Sequence, residues 1–323
     1  MKKRFSEECI LDTIQGEREL LPRIGTRKLY HLLHYKGINI GRDKLYKLLR
    51  DNDLLVRPSK RIVIRTTQAS SRAYLFRNLL KECFIDWPNQ VWVADITYIR
   101  LQEGFAYLSL ITDAFSRKII GYCLHSSLDT EGCINALNMA MTTLSWSELN
   151  GIIHHSDRGC QYCSKEYVKI LRTAKMRVSV TQNGDPYENA LAERINGILK
   201  TEWINQETFL NLEHAKERIE QIVKLYNTRR LHSAHSYKTP EEINFINDLL
   251  SSDDVQLLTM NADVFKVLVS AQKVEQKLLQ SVAPDSIQLN IQFVDSESYN
   301  IPGMIGNVLA NRIFSIHFDQ TFN

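Results

Sequence analysis

Three carboxylates in this chain stand in positions where acids are uncommon unless they do something. Asp95 is the sole charge in Val91-Trp92-Val93-Ala94-Asp95-Ile96-Thr97-Tyr98-Ile99, a run otherwise suited to a central strand. Aspartate is depleted in strands, and a buried carboxylate left unpaired is costly. It therefore needs a cation, a hydrogen-bond network or an edge position; a purely structural aspartate is the alternative. Asp157 follows the short apolar stretch 151–154, where the end of a strand delivers a side chain into the crevice of an α/β sheet. Gly159 behind it permits a sharp turn or a close ligand approach, although Ser-Asp-Arg-Gly alone also reads as a plain turn.

Glu193 lies 35 intervening residues beyond Asp157. Projected on a helix, Leu191, Ile195, Ile198 and Leu199 share an apolar sector, while Asn189, Glu193, Asn196 and Lys200 gather opposite. A solvated face is the plain reading of that polar side. Taken jointly, a strand aspartate, a strand-end aspartate and a helix glutamate form an oxygen donor set for Mg²⁺, a hard cation that keeps waters for substrate phosphates. Two such ions can serve an in-line displacement at phosphorus. Lys200, nearly eclipsed with Glu193 two turns along the helix, is placed to meet a phosphate.

The elements that must position these residues follow in order. Apolar spacing predicts a helix over residues 6–20 and a helical pair, Thr26–Tyr35 and Arg42–Asp51, around the turn Lys36-Gly37-Ile38-Asn39-Ile40-Gly41. That pair fits a helix-turn-helix whose second helix carries Arg42, Lys44, Lys47 and Arg50, although many small helical hairpins bind nothing. Residues 56–74 read as a basic linker and 75–83 as a short helix. Strands are expected at Val91–Arg100, Phe105–Asp113 and 118–124. A helix at 130–144, a strand at 151–154, a helix at 164–174 and a strand at 177–181 come next. Helices at 188–204 and 211–229 close the body, and Thr239 with Pro240 marks a further helix start. After it, a helical stretch at 261–281 and strands at 286–294 and 312–318 are expected. Three antiparallel strands followed by alternating helices and strands give the ribonuclease H-like arrangement: a mixed α/β sheet with flanking helices, here preceded by an all-α helix-turn-helix region.

Composition sets the bounds. The 323 residues carry a net charge of +3, but residues 1–90 hold 19 Lys/Arg against 10 Asp/Glu and residues 251–323 hold 4 against 8. A basic arm before a near-neutral body suits a polyanion partner. No apolar run is long enough for a membrane span, no secretory signal stands at the start, and six scattered cysteines suit reduced thiols. Cys160-x-x-Cys163 near His154 and His155 supplies zinc-type ligands, but without a spaced histidine pair. Lys216, Arg218, Lys224, Arg229 and Arg230 form either a DNA-facing or a solvated helix surface.

Trp92-x-x-Asp95-Ile-Thr-Tyr, His155-Ser-Asp157-Arg-Gly-x-Gln161-Tyr162 and Glu188-Asn189-Ala190-x-Ala192-Glu193 through Lys200 resemble the DDE(K) signature of bacterial insertion-sequence transposases. The resemblance is to the second-reading-frame product of the IS-three family, with its retroviral-integrase-like core. Tyr226-Asn227-x-x-Arg230-x-His232-Ser233 and Lys238-Thr239-Pro240-Glu241 resemble the end of that core, and residues 23–60 the preceding helix-turn-helix. The resemblance implies Asp95, Asp157 and Glu193 as catalytic metal ligands for two Mg²⁺ ions, with Mn²⁺ as substitute. It implies DNA contacts by Lys200, and we expect further ones from Arg42, Lys44, Lys47, Arg50 and Arg158. It also implies cleavage at element ends and strand transfer by the freed 3′-hydroxyl, in a homo-oligomer on paired DNA ends. A first-reading-frame product is the expected protein partner, and a bacterial cytoplasm, at the nucleoid when DNA is bound, the expected location. The expected domains are 1–55 helical, 56–88 linker, 89–250 catalytic core and 251–323 an acidic extension. The competing expectations are a plain ribonuclease H-like nuclease and a catalytically silent DNA-binding protein.

Overall fold

The computed structural model describes residues 5–57, 75–81, 83–182, 186–251, 260–261, 290–294 and 313–317. The chain divides into two compact units, Met1–His34 with Ile38–Asn244, and Tyr35–Gly37 with Phe245–Asn323. Most of the basic linker and the expected helix at 261–281 lie outside the described residues. Among the described residues no helix is long and apolar enough to cross a membrane.

The first unit begins with α1 (Glu7–Leu20), α2 (Thr26–Tyr35) and α3 (Arg42–Asp51). Ser6 caps α1 by accepting from the Cys9 amide at 3.2 Å. Ile10 and Ile14 of α1, Leu29, Leu32 and Leu33 of α2 and Leu45, Leu48 and Leu49 of α3 are all buried, so each helix turns one stripe inward.

A five-stranded sheet follows, in the order β3-β2-β1-β4-β5. Its strands are β1 (Val91–Arg100), β2 (Phe105–Asp113), β3 (Ile119–His125), β4 (Ile153–Ser156) and β5 (Arg177–Val180). β1, β2 and β3 pair antiparallel, and β4 and β5 extend the sheet in parallel from β1. This is the ribonuclease H-like mixed sheet expected from the sequence. Helix α4 (Thr130–Met141) and α5 (Lys165–Thr173) serve one face, where Trp92, Ala94 and Ile111 meet Ala136, Leu137, Tyr167 and Leu171. On the other face Ile99 and Leu108 meet Ile195 and Leu199 of α6 (Ala190–Glu202) and Ile219 and Ile222 of α7 (Leu212–Thr228).

The three N-terminal helices share that second apolar cluster, so they are packed on the sheet domain. A polar seam accompanies the packing. Arg230 grips Glu202 with Nε at 2.8 Å and Nη2 at 2.6 Å, and Lys28 of α2 reaches the same carboxylate at 3.2 Å. Burial alone would raise the Glu202 carboxyl; bonds and charges from Arg230 and Lys28 outweigh it and hold the group below its usual range. Burial, with the Arg230 charge next, brings the Lys28 ammonium down to about 8. The Trp203 indole donates to the Leu20 carbonyl at 2.8 Å, and Arg229 reaches Glu17 at 3.5 Å.

Two expectations change. Residues 76–81 are not helical, because their backbone is spent on the sheet edge: Leu79 N donates to Ser179 Oγ, and the Arg77 carbonyl accepts from Val180 N. Arg230 belongs to neither a DNA-facing nor a solvated surface, since it is buried against Glu202, and Arg218 is held by Glu207. Thr239 does start a helix. It caps α8 (Pro240–Ser251) in a reciprocal box, with Glu242 N donating to Thr239 Oγ1 and Thr239 N to Glu242 Oε2. In the second unit, β8 (Ile313–His317) pairs antiparallel with β6 (Met260–Asn261) and with β7 (Asn290–Val294).

Two predictions follow from the packing. A Cβ on Gly121 of β3 would lie 2.2 Å from the Ala136 carbonyl oxygen and 2.8 Å from the Ala140 Cβ, so α4 can approach only a glycine there. Gly121→Ala should therefore cost upwards of about 2 kcal/mol in urea unfolding. Burial, and then the neighbouring His155, hold the His154 imidazole at about 3, while it accepts or shares a 2.9 Å bond with the Tyr167 hydroxyl. An unfolded histidine titrates near ~6.5, so the unfolded chain binds the extra proton and stability is lost as pH falls below that value. Urea midpoints measured between pH 7.5 and 5 should fall, and the slope should flatten in His154→Leu.

Candidate active site

The register of β1 on β4 runs Val91 with Ile153 to Ala94 with Ser156, and there the pairing stops. The next residue on each strand is an acid, Asp95 and Asp157. Asp157 directly follows the end of β4, and side chains alternate across a sheet, so Asp95 leaves the face opposite to Ala94. That is the face that carries Val93, Ile99 and α6. Beyond Ala94, β1 has no β4 partner, and the two strands part at the acids.

Asp95 and Asp157 are oriented by named donors. Asp95 is half-buried; its Oδ1 accepts from Ile96 N at 2.9 Å and its Oδ2 from Asn196 Nδ2 at 2.8 Å. Burial, and then the Asp157 charge, push its carboxyl up to about 7 against the pull of those two bonds, with Glu193 adding to the rise. Asp157 Oδ1 accepts from Gly159 N at 2.9 Å. A Cβ on Gly159 would come within 2.9 Å of that same oxygen, so a larger residue there would make the Asp157 carboxylate shift. Glu193 is exposed on the first turn of α6; partial burial first, then Asp157, raise its carboxyl.

These shifts mean the three acids lie in one another's field. They do not make a ready-made cage: among the described residues no group of three histidine, cysteine or acidic side chains is gathered tightly enough to hold an ion. Oxygen-only, mutually repelling and partly desolvated, they nevertheless fit a hard divalent cation, which would remove the repulsion. Another buried acid shows the contrast. Asp113 receives Ser116 N at 2.8 Å and Ser116 Oγ at 2.6 Å from its own turn and Asn89 N at 2.8 Å from the segment before β1. Asp95 has two bonds and an acidic neighbour.

The other expected site residues separate into groups. Lys200 is half-buried with Nζ 3.9 Å from the centre of the Tyr98 ring, closer to the acids than an exposed helix lysine. Burial lowers its ammonium, and the charge of Asp95 counters that. Arg158, beside Asp157, is half-buried. Arg42, Lys44, Lys47 and Arg50 are exposed on α3, where Lys44 pairs with Glu7 at 3.0 Å. The zinc ligand types are used otherwise. His154 is bonded to Tyr167, while the His155 ring lies between Ser179 Oγ at 2.8 Å and the Glu188 carbonyl at 2.9 Å. Helical projection put Asn189 and Asn196 on a polar outer side, but both are buried, with Asn189 Nδ2 donating to the Ala94 carbonyl at 3.4 Å. The clue available in the sequence was the seven-residue spacing of two asparagines around Glu193.

Comparison with known proteins agrees with this geometry. An integrase core domain model matches residues 86–186, and a second integrase core domain model matches residues 174–240. The insertion element IS600 uncharacterized 31 kDa protein of Shigella sonnei is 37% identical over 234 residues, covering 72% of this chain and 85% of that protein. The transposase for insertion sequence element IS629 of Shigella sonnei is 32% identical over 221 residues, covering 68% and 72%. Transposase InsF for insertion sequence IS3A of Escherichia coli (strain K12) is 29% identical over 248 residues, covering 75% and 83%. An integrase-type core and relatives of this length at this identity settle the lineage: the chain belongs to the IS3 family of insertion-sequence transposases, polynucleotidyl transferases of DNA transposition.

Proposed function

We propose that Asp95, Asp157 and Glu193 are the catalytic metal ligands of this transposase and that Mg²⁺ is the natural ion, with Mn²⁺ substituting. The observation that carries this reading is the end of the β1–β4 register at two adjacent acids, with a third acid on the helix packed over them. Two divalent ions bound there would activate the attacking oxygen and neutralise the leaving oxygen of an in-line displacement. Asp95 and Asp157, fixed on the sheet, supply the rigid pair of ligands. Glu193, exposed on the first turn of α6 and within the field of Asp157, would complete the set. Lys200, held over Tyr98, offers its ammonium to a phosphate next to the acids, and Arg158 does the same from the turn after Asp157. The attacking group is water in end cleavage and the freed 3′-hydroxyl in strand transfer.

The DNA is gripped by a second surface on this reading. Helices α2 and α3 act as a helix-turn-helix, with Arg42, Lys44, Lys47 and Arg50 of α3 on phosphates or base edges. Residues 56–74 track the phosphate backbone between that surface and the core, and 251–323 are an acidic extension. Element ends and target DNA are the substrates, and a homo-oligomer on paired ends, with a first-reading-frame product as companion, is the working assembly. The reaction takes place in the bacterial cytoplasm.

Two experiments test these assignments. Asp157→Asn should abolish cleavage and joining of a pre-cleaved end oligonucleotide with Mg²⁺ or Mn²⁺ while duplex binding persists; retained joining removes Asp157 from the site. Joined product from the unaltered chain also separates strand transfer from simple nicking. Replacing Lys47 and Arg50 together by alanine should weaken duplex binding and flatten the plot of log affinity against log salt by about 2 units. An unchanged salt slope would take α3 off the DNA.

A further inference from the structure

Asn196 is a poor choice for its position on grounds of stability. It lies in the interior of α6, where asparagine is a weak helix former. It is buried at 5% exposure on the side facing the sheet, and its Oδ1 is enclosed with no hydrogen-bond partner. A leucine, branched at the same atom though bulkier, would avoid both penalties. What asparagine gains is one contact, Nδ2 to Asp95 Oδ2 at 2.8 Å. An ionised carboxylate only accepts, which fixes the amide with its nitrogen toward Asp95 and its oxygen away.

That contact settles how Asp95 is aimed. The other bond to the carboxylate, from Ile96 N to Oδ1, comes from the adjoining residue of the same strand and follows wherever β1 goes. Among the described residues, Asn196 is the side chain that hydrogen-bonds the group from a different element. With one donor on each oxygen, the plane of the carboxylate is determined and each oxygen keeps a lone pair for an ion. Asn196 also stands one turn beyond Glu193, so the same bond ties the helix glutamate to the strand aspartate. Asn189, seven residues earlier, makes a parallel tie to the Ala94 carbonyl.

We propose that Asn196 is the positioning residue for Asp95: by donating to its Oδ2 it presents the carboxylate to a divalent cation and sets α6, with Glu193, at the matching height. The proposal rests on Asp95 being a metal ligand, and the experiment distinguishes the two claims. Mn²⁺ is titrated into the full chain and followed by its electron paramagnetic resonance signal, with thermal unfolding measured without metal in parallel. Asn196→Leu should bind Mn²⁺ about 10-fold more weakly or worse, while its metal-free melting temperature stays level or rises. Asn196→Ala, which leaves a small void instead, should show the same loss of affinity.

A merely structural asparagine gives the opposite pattern, a lower melting temperature with unchanged Mn²⁺ affinity, and that result in either variant overturns the proposal. Asp95→Asn is the reference. If it abolishes Mn²⁺ binding while Asn196→Leu does not weaken it, Asp95 stands as a ligand and the role of Asn196 falls. If Asp95→Asn binds Mn²⁺ like the unaltered chain, both fall together.

Discussion

Repulsion between neighbouring carboxylates governs this molecule. Two parallel strands in register end their pairing at the same level, and the chain places an aspartate on each of them there. Burial first, and the neighbouring Asp157 charge next, drive the Asp95 carboxyl up to about 7, so both the sheet face and the second acid oppose its ionisation. Named donors reach both acids: the Ile96 amide and Asn196 for Asp95, and the Gly159 amide among the contacts of Asp157. Asp113 shows that the fold can fully satisfy a buried acid when nothing else is asked of it. A divalent cation placed between the two acids would offset the charge that the buried face disfavours.

The remaining architecture keeps that pair in place. β1 and β4 are interior strands, flanked by β2 and β5, so neither acid-bearing strand can shift without breaking a ladder. Above them α6 is fixed at both ends. At its start Asn189 bonds to the Ala94 carbonyl, and at its end Glu202 is locked by Arg230 and Lys28. Buried ion pairs give little net stability, because desolvation offsets much of the attraction, but they are specific in direction. Here the direction matters, since the helix between those two anchors carries Glu193, Asn196 and Lys200.

How much of this was legible in the sequence depended on how local the signal was. β1 and β2 were read to their final residues, because each is a long apolar run bounded by turn residues. Asp95 announced itself by interrupting such a run. The helix α6 was found, yet its rotation was not. Projection separates polar from apolar residues but cannot know that the core opposite contains a carboxylate in need of a donor, so Asn196 looked solvent-facing. Arg230 was misjudged for the same reason: its partner Glu202 is 28 residues away, and Lys28 is 174 residues from that glutamate. The segment 76–81 looked helical by composition and was claimed by the edge of β5, a tertiary choice that local pattern does not contain.

The seam between the N-terminal helices and the sheet also bears on how the protein can be divided. Leu29 and Leu33 of α2 belong to one apolar cluster with Leu199 and Trp203, the Trp203 indole depends on the carbonyl of Leu20, and Glu202 is shared between Lys28 and Arg230. Cutting the chain ahead of β1 would not release a self-sufficient catalytic fragment. It would lay bare an oily flank, strip an indole of its acceptor and leave a guanidinium to neutralise an acid alone, directly beneath the helix that bears the third carboxylate.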